Sequence, residues 1–235
     1  MGEGFLKTPS RNDRRERVNI IGEIGSARGF DHSNLYIYFQ ALLSKDWIFE
    51  DDLEYSIEDP SAIDQTQTNK RPSLTHMAKS TVVLDKEINQ YVYQSNFCFP
   101  FDYQILTPQE STSDPNKPAI NLHTRWPSLL MQVNSVDSWG RYRTEGYGYI
   151  TFPSIPGYYK QTISTWRPKG SLYTKIHSYF LGGSPRIFEL ENILQSSRVD
   201  EFGHKGIINR FGLETETSGT INISFNVTRQ SLYFF

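Results

Sequence analysis

Near the C-terminus Ile221, Ile223, Phe225 and Val227 alternate with Asn222, Ser224, Asn226 and Thr228. A two-residue period commits a segment to a β-strand with one apolar and one wet face, because successive strand side chains point to opposite sides. The period recurs. Leu129, Met131 and Val133 oppose Ser128, Leu130, Gln132 and Asn134, and Leu35, Ile37, Phe39 and Ala41 oppose Tyr36, Tyr38 and Gln40. Antiparallel sheets bury one such face and leave the other to water, and the apolar face needs a second layer to cover it.

Val18 to Ala27, Thr81 to Leu84, Tyr91 to Leu106, Gly146 to Pro153 and Lys160 to Trp166 are also strand-prone, with Pro100 in the third fitting an edge strand or a bulge. One helix is predicted from Ser171 to Leu181. Leu172, Ile176, Tyr179 and Phe180 give its apolar repeat, Ser171 its N-cap, and Gly182-Gly183 its stop. The expected fold is an all-β, antiparallel sandwich of about eight strands, with one short helix and long loops. The loops are expected at 50–73, acidic and then polar with Pro60 and Pro72, and at 107–124, with Pro108, Pro115 and Pro118. Residues 1–17 read as a disordered or appended leader to a domain over 18–235.

Composition narrows the function. A net charge of −2 and a pI near 6.2 lack the basic excess of a nucleic-acid binder. No apolar run reaches the 18 or so residues of a membrane-spanning helix. Cys98 is the single cysteine, which rules out an internal disulfide and fits a reducing compartment. The five histidines (His32, His76, His123, His177, His204) have no pair at metal-binding spacing, and Gly182-Gly183-Ser184 lacks the Gly-Lys-Ser/Thr of a phosphate loop. No cofactor, small-molecule substrate or catalytic group is expected.

From Trp126 onward a family pattern emerges. Trp126-Pro127, Leu129 to Val133, Asp137-Ser138-Trp139-Gly140-Arg141-Tyr142-Arg143 and Glu145-Gly146-Tyr147-Gly148 resemble the central signature of B9 domains. Ser164-Thr165-Trp166-Arg167-Pro168, Phe180-Leu181-Gly182-Gly183 and Arg210 to Thr217 extend it, and Gly22-Glu23-Ile24 with Gly29-Phe30 match its opening strand. The Arg-Phe-Gly-Leu run and the Arg-Tyr-Arg turn favour the larger member of the family over the two smaller ones. The resemblance runs from about Val18 to Thr228. It implies a C2-like fold, no catalytic activity and a cytoplasmic place at the ciliary base, at the basal body and transition zone. It also implies assembly with other B9-domain proteins in support of ciliogenesis and the ciliary membrane barrier, and a full-length protein that is longer at its N-terminus.

A C2-like fold raises the question of calcium, which needs six to eight oxygen ligands. The ligand positions map onto Arg28, Asn34, Ser135, Asp137 and Glu145, where only two carboxylates remain, so no metal site is expected. Asp137 and Glu145 are expected instead to fix their loop by bonding backbone amides or Arg141 and Arg143. Arg141, Tyr142, Arg143, Arg167, Lys169 and Lys175 are candidates for a partner or for anionic phospholipid, as a calcium-independent membrane module would use them. Equally, they form a solvated rim. Tyr36, Tyr38, Tyr147 and Tyr149 are candidates for a partner-binding sheet face, or else for a second buried layer.

Overall fold

The computed structural model describes residues 16–44, 47–52, 70–85, 89–107, 126–183, 197–199, 205–207 and 214–231. Most of both expected loops and residues 1–15 of the leader lie outside these. The strands are β1 (Glu16–Arg28), β2 (Leu35–Leu42), β3 (Ile48–Phe49), β4 (Lys70–Leu74), β5 (Thr81–Asp85), β6 (Gln90–Leu106), β7 (Ser128–Val136), β8 (Tyr142–Thr151) and β9 (Gly157–Pro168). The helix α1 (Leu172–Leu181), a small hairpin of β10 (Ser197–Val199) and β11 (Lys205–Ile207), and the long β12 (Thr215–Ser231) follow.

One curled sheet carries the fold, in the order β3-β6-β1-β12-β9-β8-β7-β2-β4, with β5 also on β6. Its pairs are antiparallel. The two halves of the sheet join where Tyr147 of β8 pairs with Trp166 of β9. Elsewhere they face each other as the layers of a sandwich. Phe39 of β2 meets Phe99 and Phe101 of β6 with ring centroids 5.8 and 6.3 Å apart. Phe152 meets Phe225 edge-on at 5.2 Å. Such aromatic pairs add to the burial that drives the layers together.

The alternating residues fall as expected. Leu35, Ile37, Phe39 and Ala41, then Leu129, Met131 and Val133, then Ile221, Ile223, Phe225 and Val227, are all buried in the core. The strand count is higher than the expected eight. Glu16 and Arg17, read as leader, pair with Ser231 and Gln230 as the start of β1. The segment 70–73, read as the end of a loop, is most of β4, and its Pro72 is tolerated because β4 pairs only with β2. The helix starts and stops as expected: Ser171 Oγ accepts from the Thr174 amide at 3.2 Å, and Gly182 at φ 76° ends it.

Three bulges bend the strands. Gly25 of β1 lies opposite Phe97 and Cys98, where the β1–β6 register shifts and Cys98 has a φ of 46°. In β8, Val133 pairs Gly146 and Asn134 pairs Thr144, leaving Glu145 as the extra residue. In β12 the register against β9 shifts across Ser218 and Gly219. A Cβ at Gly219 would collide with the Arg28 carbonyl oxygen and lie 2.6 Å from Phe30 Cδ2. Gly219 therefore lets the β1–β2 connection close onto β12. Gly219→Ala is expected to cost about 1–3 kcal/mol, the usual range for overpacking, read as a lower midpoint in urea. An unchanged midpoint would show that the close approach is not needed.

Candidate functional site

The bulge in β8 decides what this end of the sandwich holds. An extra residue re-aims the strand, and here Glu145 is turned into the interior, where only 1% of it is exposed. A buried carboxylate needs partners. Ser135 Oγ donates to its Oε1 at 2.5 Å, His32 Nδ1 lies 2.7 Å from the same oxygen, and Arg167 Nη1 is 3.5 Å from Oε2. The hydrogen bond to Glu145 raises the His32 pKa above 6.5, against desolvation and the nearby Arg143.

Arg167, at the end of β9, ties three segments together. Its Nη2 reaches Asp31 at 2.8 Å and its Nε reaches Glu216 at 2.7 Å, besides the contact to Glu145. Burial disfavours its charge, but the hydrogen bonds it donates to Glu216 and Asp31 outweigh this and its pKa is raised. A hydroxyl network closes the same end. Ser218 Oγ donates to the Glu145 carbonyl at 2.7 Å and Thr165 Oγ1 to the Gly219 carbonyl at 2.6 Å.

A second cluster is built on the β7–β8 turn. Asp137 accepts from the amides of Trp139 and Arg141, both at 2.9 Å, from Arg141 Nε at 2.6 Å and from Arg143 at 3.3 Å. Desolvation works against the charged carboxylate, but the hydrogen bonds from the Arg141 amide and side chain and the Trp139 amide prevail, lowering its pKa from 3.8 to about 2. Asp137 thus adds stability that is complete above about pH 4 and is lost as the pH falls through 2. Asp137→Asn should flatten thermal stability between pH 4 and pH 2 relative to the parent. A parallel acid limb in the two proteins would refute this role.

The helix α1 is docked on that turn. Gly183 donates to the Tyr142 carbonyl at 2.8 Å, while Arg141 Nη1 reaches the Phe180 carbonyl at 3.2 Å and Arg143 Nη2 the Ser178 carbonyl at 3.4 Å. Arg141 thus gives the Phe180 carbonyl a side-chain donor at the helix end, and Arg143 joins the Gly182 amide on the Ser178 carbonyl.

The structure brings Arg141, Tyr142, Arg143, Arg167 and Lys169 to this one end, with Lys175 on α1 and its side chain outside the described residues. Among the described side chains, each cation of this set has a carboxylate partner. Arg141 and Arg143 face Asp137, Arg167 faces Asp31, Glu145 and Glu216, and Lys169 faces Glu214 at 3.4 Å. Of the degenerate calcium positions, Ser135 and Glu145 bond each other, Asp137 is taken up by arginines, and Arg28 closes β1. Asn34 sits at a φ of 61° with its Nδ2 3.4 Å from the Val136 carbonyl. Among the described residues no group of three or more His, Cys, Asp and Glu could hold a metal ion. Asp137 fixes its loop through Arg141 and Arg143 as expected, whereas Glu145 turns instead to Ser135, His32 and Arg167. His32, Asp31 and Glu216 were not foreseen, since nothing local in the sequence couples them to Glu145.

The expected tyrosine face divides. Tyr36 and Tyr38 are half-buried on the outer face of β2, and Tyr149 is 48% exposed on β8. Tyr147 is not available: it is 1% exposed, because it packs on Trp166 at 5.7 Å where the two halves of the sheet join.

An antiparallel β-sandwich with a C2-like loop end, bound up by ion pairs and hydroxyls, is the class that these features define. The chain belongs to the B9 family: the family model for ciliary basal body-associated B9 proteins matches residues 18–228. It is similar to the tectonic-like complex member MKS1 of human and of rat, 31% and 32% identical over 220 residues. Those matches cover 93% of this chain and 34% of each relative, so the chain spans about a third of their length. It is also similar to rat B9 domain-containing protein 2, 31% identical over 130 residues that make up 53% of this chain and 68% of that protein. Among the described residues no helix is long and apolar enough to cross a membrane.

Proposed function

We propose that this chain is a non-enzymatic, cytoplasmic scaffold domain of a protein complex at the ciliary base, at the basal body and transition zone. Its partners are other B9-domain proteins, and its role is to support ciliogenesis and the ciliary membrane barrier. The observation that carries the reading is the family match over residues 18–228, which takes in nearly every strand of the sheet and reaches relatives named as members of a complex. The geometry is consistent with it. Around Glu145 and Asp137 the polar groups bond to each other, which holds loops in place and leaves the outside of the sandwich to act.

Tyr149, 48% exposed on β8, is the tyrosine placed to meet a partner, while Tyr36 and Tyr38 are half-buried beside the buried Gln40, Leu130 and Asn134 of the same face. Tyrosines of this kind anchor interfaces at low entropic cost. Electrostatic docking on anionic lipid has less support, because among the described residues Arg141, Arg143, Arg167 and Lys169, which would drive it, are paired with carboxylates. The test is co-purification with the B9 domain-containing proteins of the same organism, followed by titration. Association at micromolar concentration or tighter is expected, weakened by Tyr149→Ser. No association at that concentration would remove the scaffold reading.

A further inference from the structure

The helix that the sequence marks as amphipathic turns apolar side chains outward. Tyr173, Ile176 and Phe180 follow one another at spacings of three and four and so share one helix face, yet they are 78%, 51% and 68% exposed. Leu181 continues the exposed surface at the helix end. The adjoining β7–β8 turn adds Trp139, 81% exposed, and Tyr142, also exposed. These belong to one surface: Arg141 stacks its guanidinium over the Trp139 ring at 5.1 Å and bonds the Phe180 carbonyl, and the Tyr142 carbonyl receives the Gly183 amide. Exposed single apolar residues are ordinary, but a contiguous group of large ones marks an interaction site.

The surface is already held in shape. Asp137 locks the turn from two amides and two arginines, and the same arginines hold the helix terminus. A surface ordered before binding loses less entropy on docking. Its charge then selects the occupant. A membrane-surface module relies on unbalanced cations toward anionic headgroups, but here Arg141, Arg143, Arg167 and Lys169 all have carboxylate partners. An apolar patch whose described rim cations are all paired with carboxylates complements an uncharged, apolar protein surface.

We propose that the outward face of α1 and the Trp139 turn together form a docking surface for a partner B9 domain that presents an apolar, uncharged patch. This rests on the scaffold reading and adds a second surface, separate from the tyrosine face, so that one chain can engage two partners at once.

The experiment titrates the whole chain with each B9 domain-containing protein of its organism, comparing the parent with Trp139→Ala and Ile176→Asp. For one of those partners the affinity should fall at least tenfold in both variants, with melting temperatures close to the parent's because both residues are exposed. The same partner should be indifferent to Tyr149→Ser. If the parent binds and neither variant weakens any partner, the docking surface is wrong while the scaffold reading stands. If the parent binds no B9 protein, both fall. Two further outcomes overturn the assignment of the occupant: flotation with phosphatidylserine vesicles that depends on Trp139, or sedimentation of the chain alone as a dimer that Ile176→Asp dissociates.

Discussion

Val133→Asp is expected to abolish the folded state at 37 °C or to lower its melting temperature by at least about 10 °C. Val133 is fully buried in the middle of β7, paired with Ile37 on one side and Gly146 on the other. An aspartate there loses the apolar burial of the valine, about 1.5–3 kcal/mol, and must either stay charged without a partner or take up a proton at further cost. Together these exceed about 4 kcal/mol, a large part of the ~5–15 kcal/mol that holds an ordinary domain. At about 2–4 °C per kcal/mol for a domain of this size, the drop is easily measured by calorimetry. Gln132→Asp, one residue away on the outer face, is the comparison. The Gln132 amide donates to Asn134 Oδ1 at 2.8 Å and to Thr144 Oγ1 at 3.2 Å, and an aspartate cannot donate. Losing those bonds costs about 1–2 kcal/mol. Equal losses in the two variants would mean that the faces of β7 have been assigned wrongly.

That contrast rests on Val133 being fully buried and Gln132 only partly so; the apolar half of β12 keeps a clean two-residue period, whereas in β7 Ser128, Leu130 and Asn134 on the opposite face are buried too. Where the period holds, the sequence alone tells which face is buried. It fails where the chain departs from a regular ladder. Glu145 is the instructive residue: the bulge in β8 inserts it between Thr144 and Gly146, so no alternation identifies it as part of a strand, and the expected strand began only at Gly146. The basic residues of the loop end were legible as cations. Their neutralisation was not, because Asp31, Glu214 and Glu216 reach Arg167 and Lys169 through folding alone, 136 positions away in the case of the Asp31 to Arg167 bond. Tyr147 shows the same limit. Its neighbours in sequence say strand, but only the pairing with Trp166 says that its outer face is covered. The helix was foreseen in full by its cap and its glycine stop, while the outward direction of Ile176 and Phe180 was not, since periodicity gives a face without saying which side meets the sheet.

Arg167→Ala should be the most damaging polar substitution in the loop end, and its effect should depend on pH. The guanidinium serves Glu145, Asp31 and Glu216, and without it Glu145 stays buried with only Ser135 and His32 as partners in the described contacts. Breaking a buried ion pair costs about 3–5 kcal/mol. Arg167 is partly exposed and its contact to Glu145 is long, so about 2–3 kcal/mol is expected at pH 8. His32 then becomes the remaining cation for Glu145. Its folded pKa is raised above 6.5, chiefly by the hydrogen bond to Glu145, so its contribution is present in full below pH 6.5 and fades as the pH rises through the raised value. Part of the Arg167→Ala loss should therefore return between pH 8 and pH 5.5, and adding His32→Gln should remove that recovery. Urea unfolding of the three proteins at both pH values measures it. A loss that is the same at pH 8 and pH 5.5 would show that His32 does not compensate Glu145 and that the pair, though close, is not coupled.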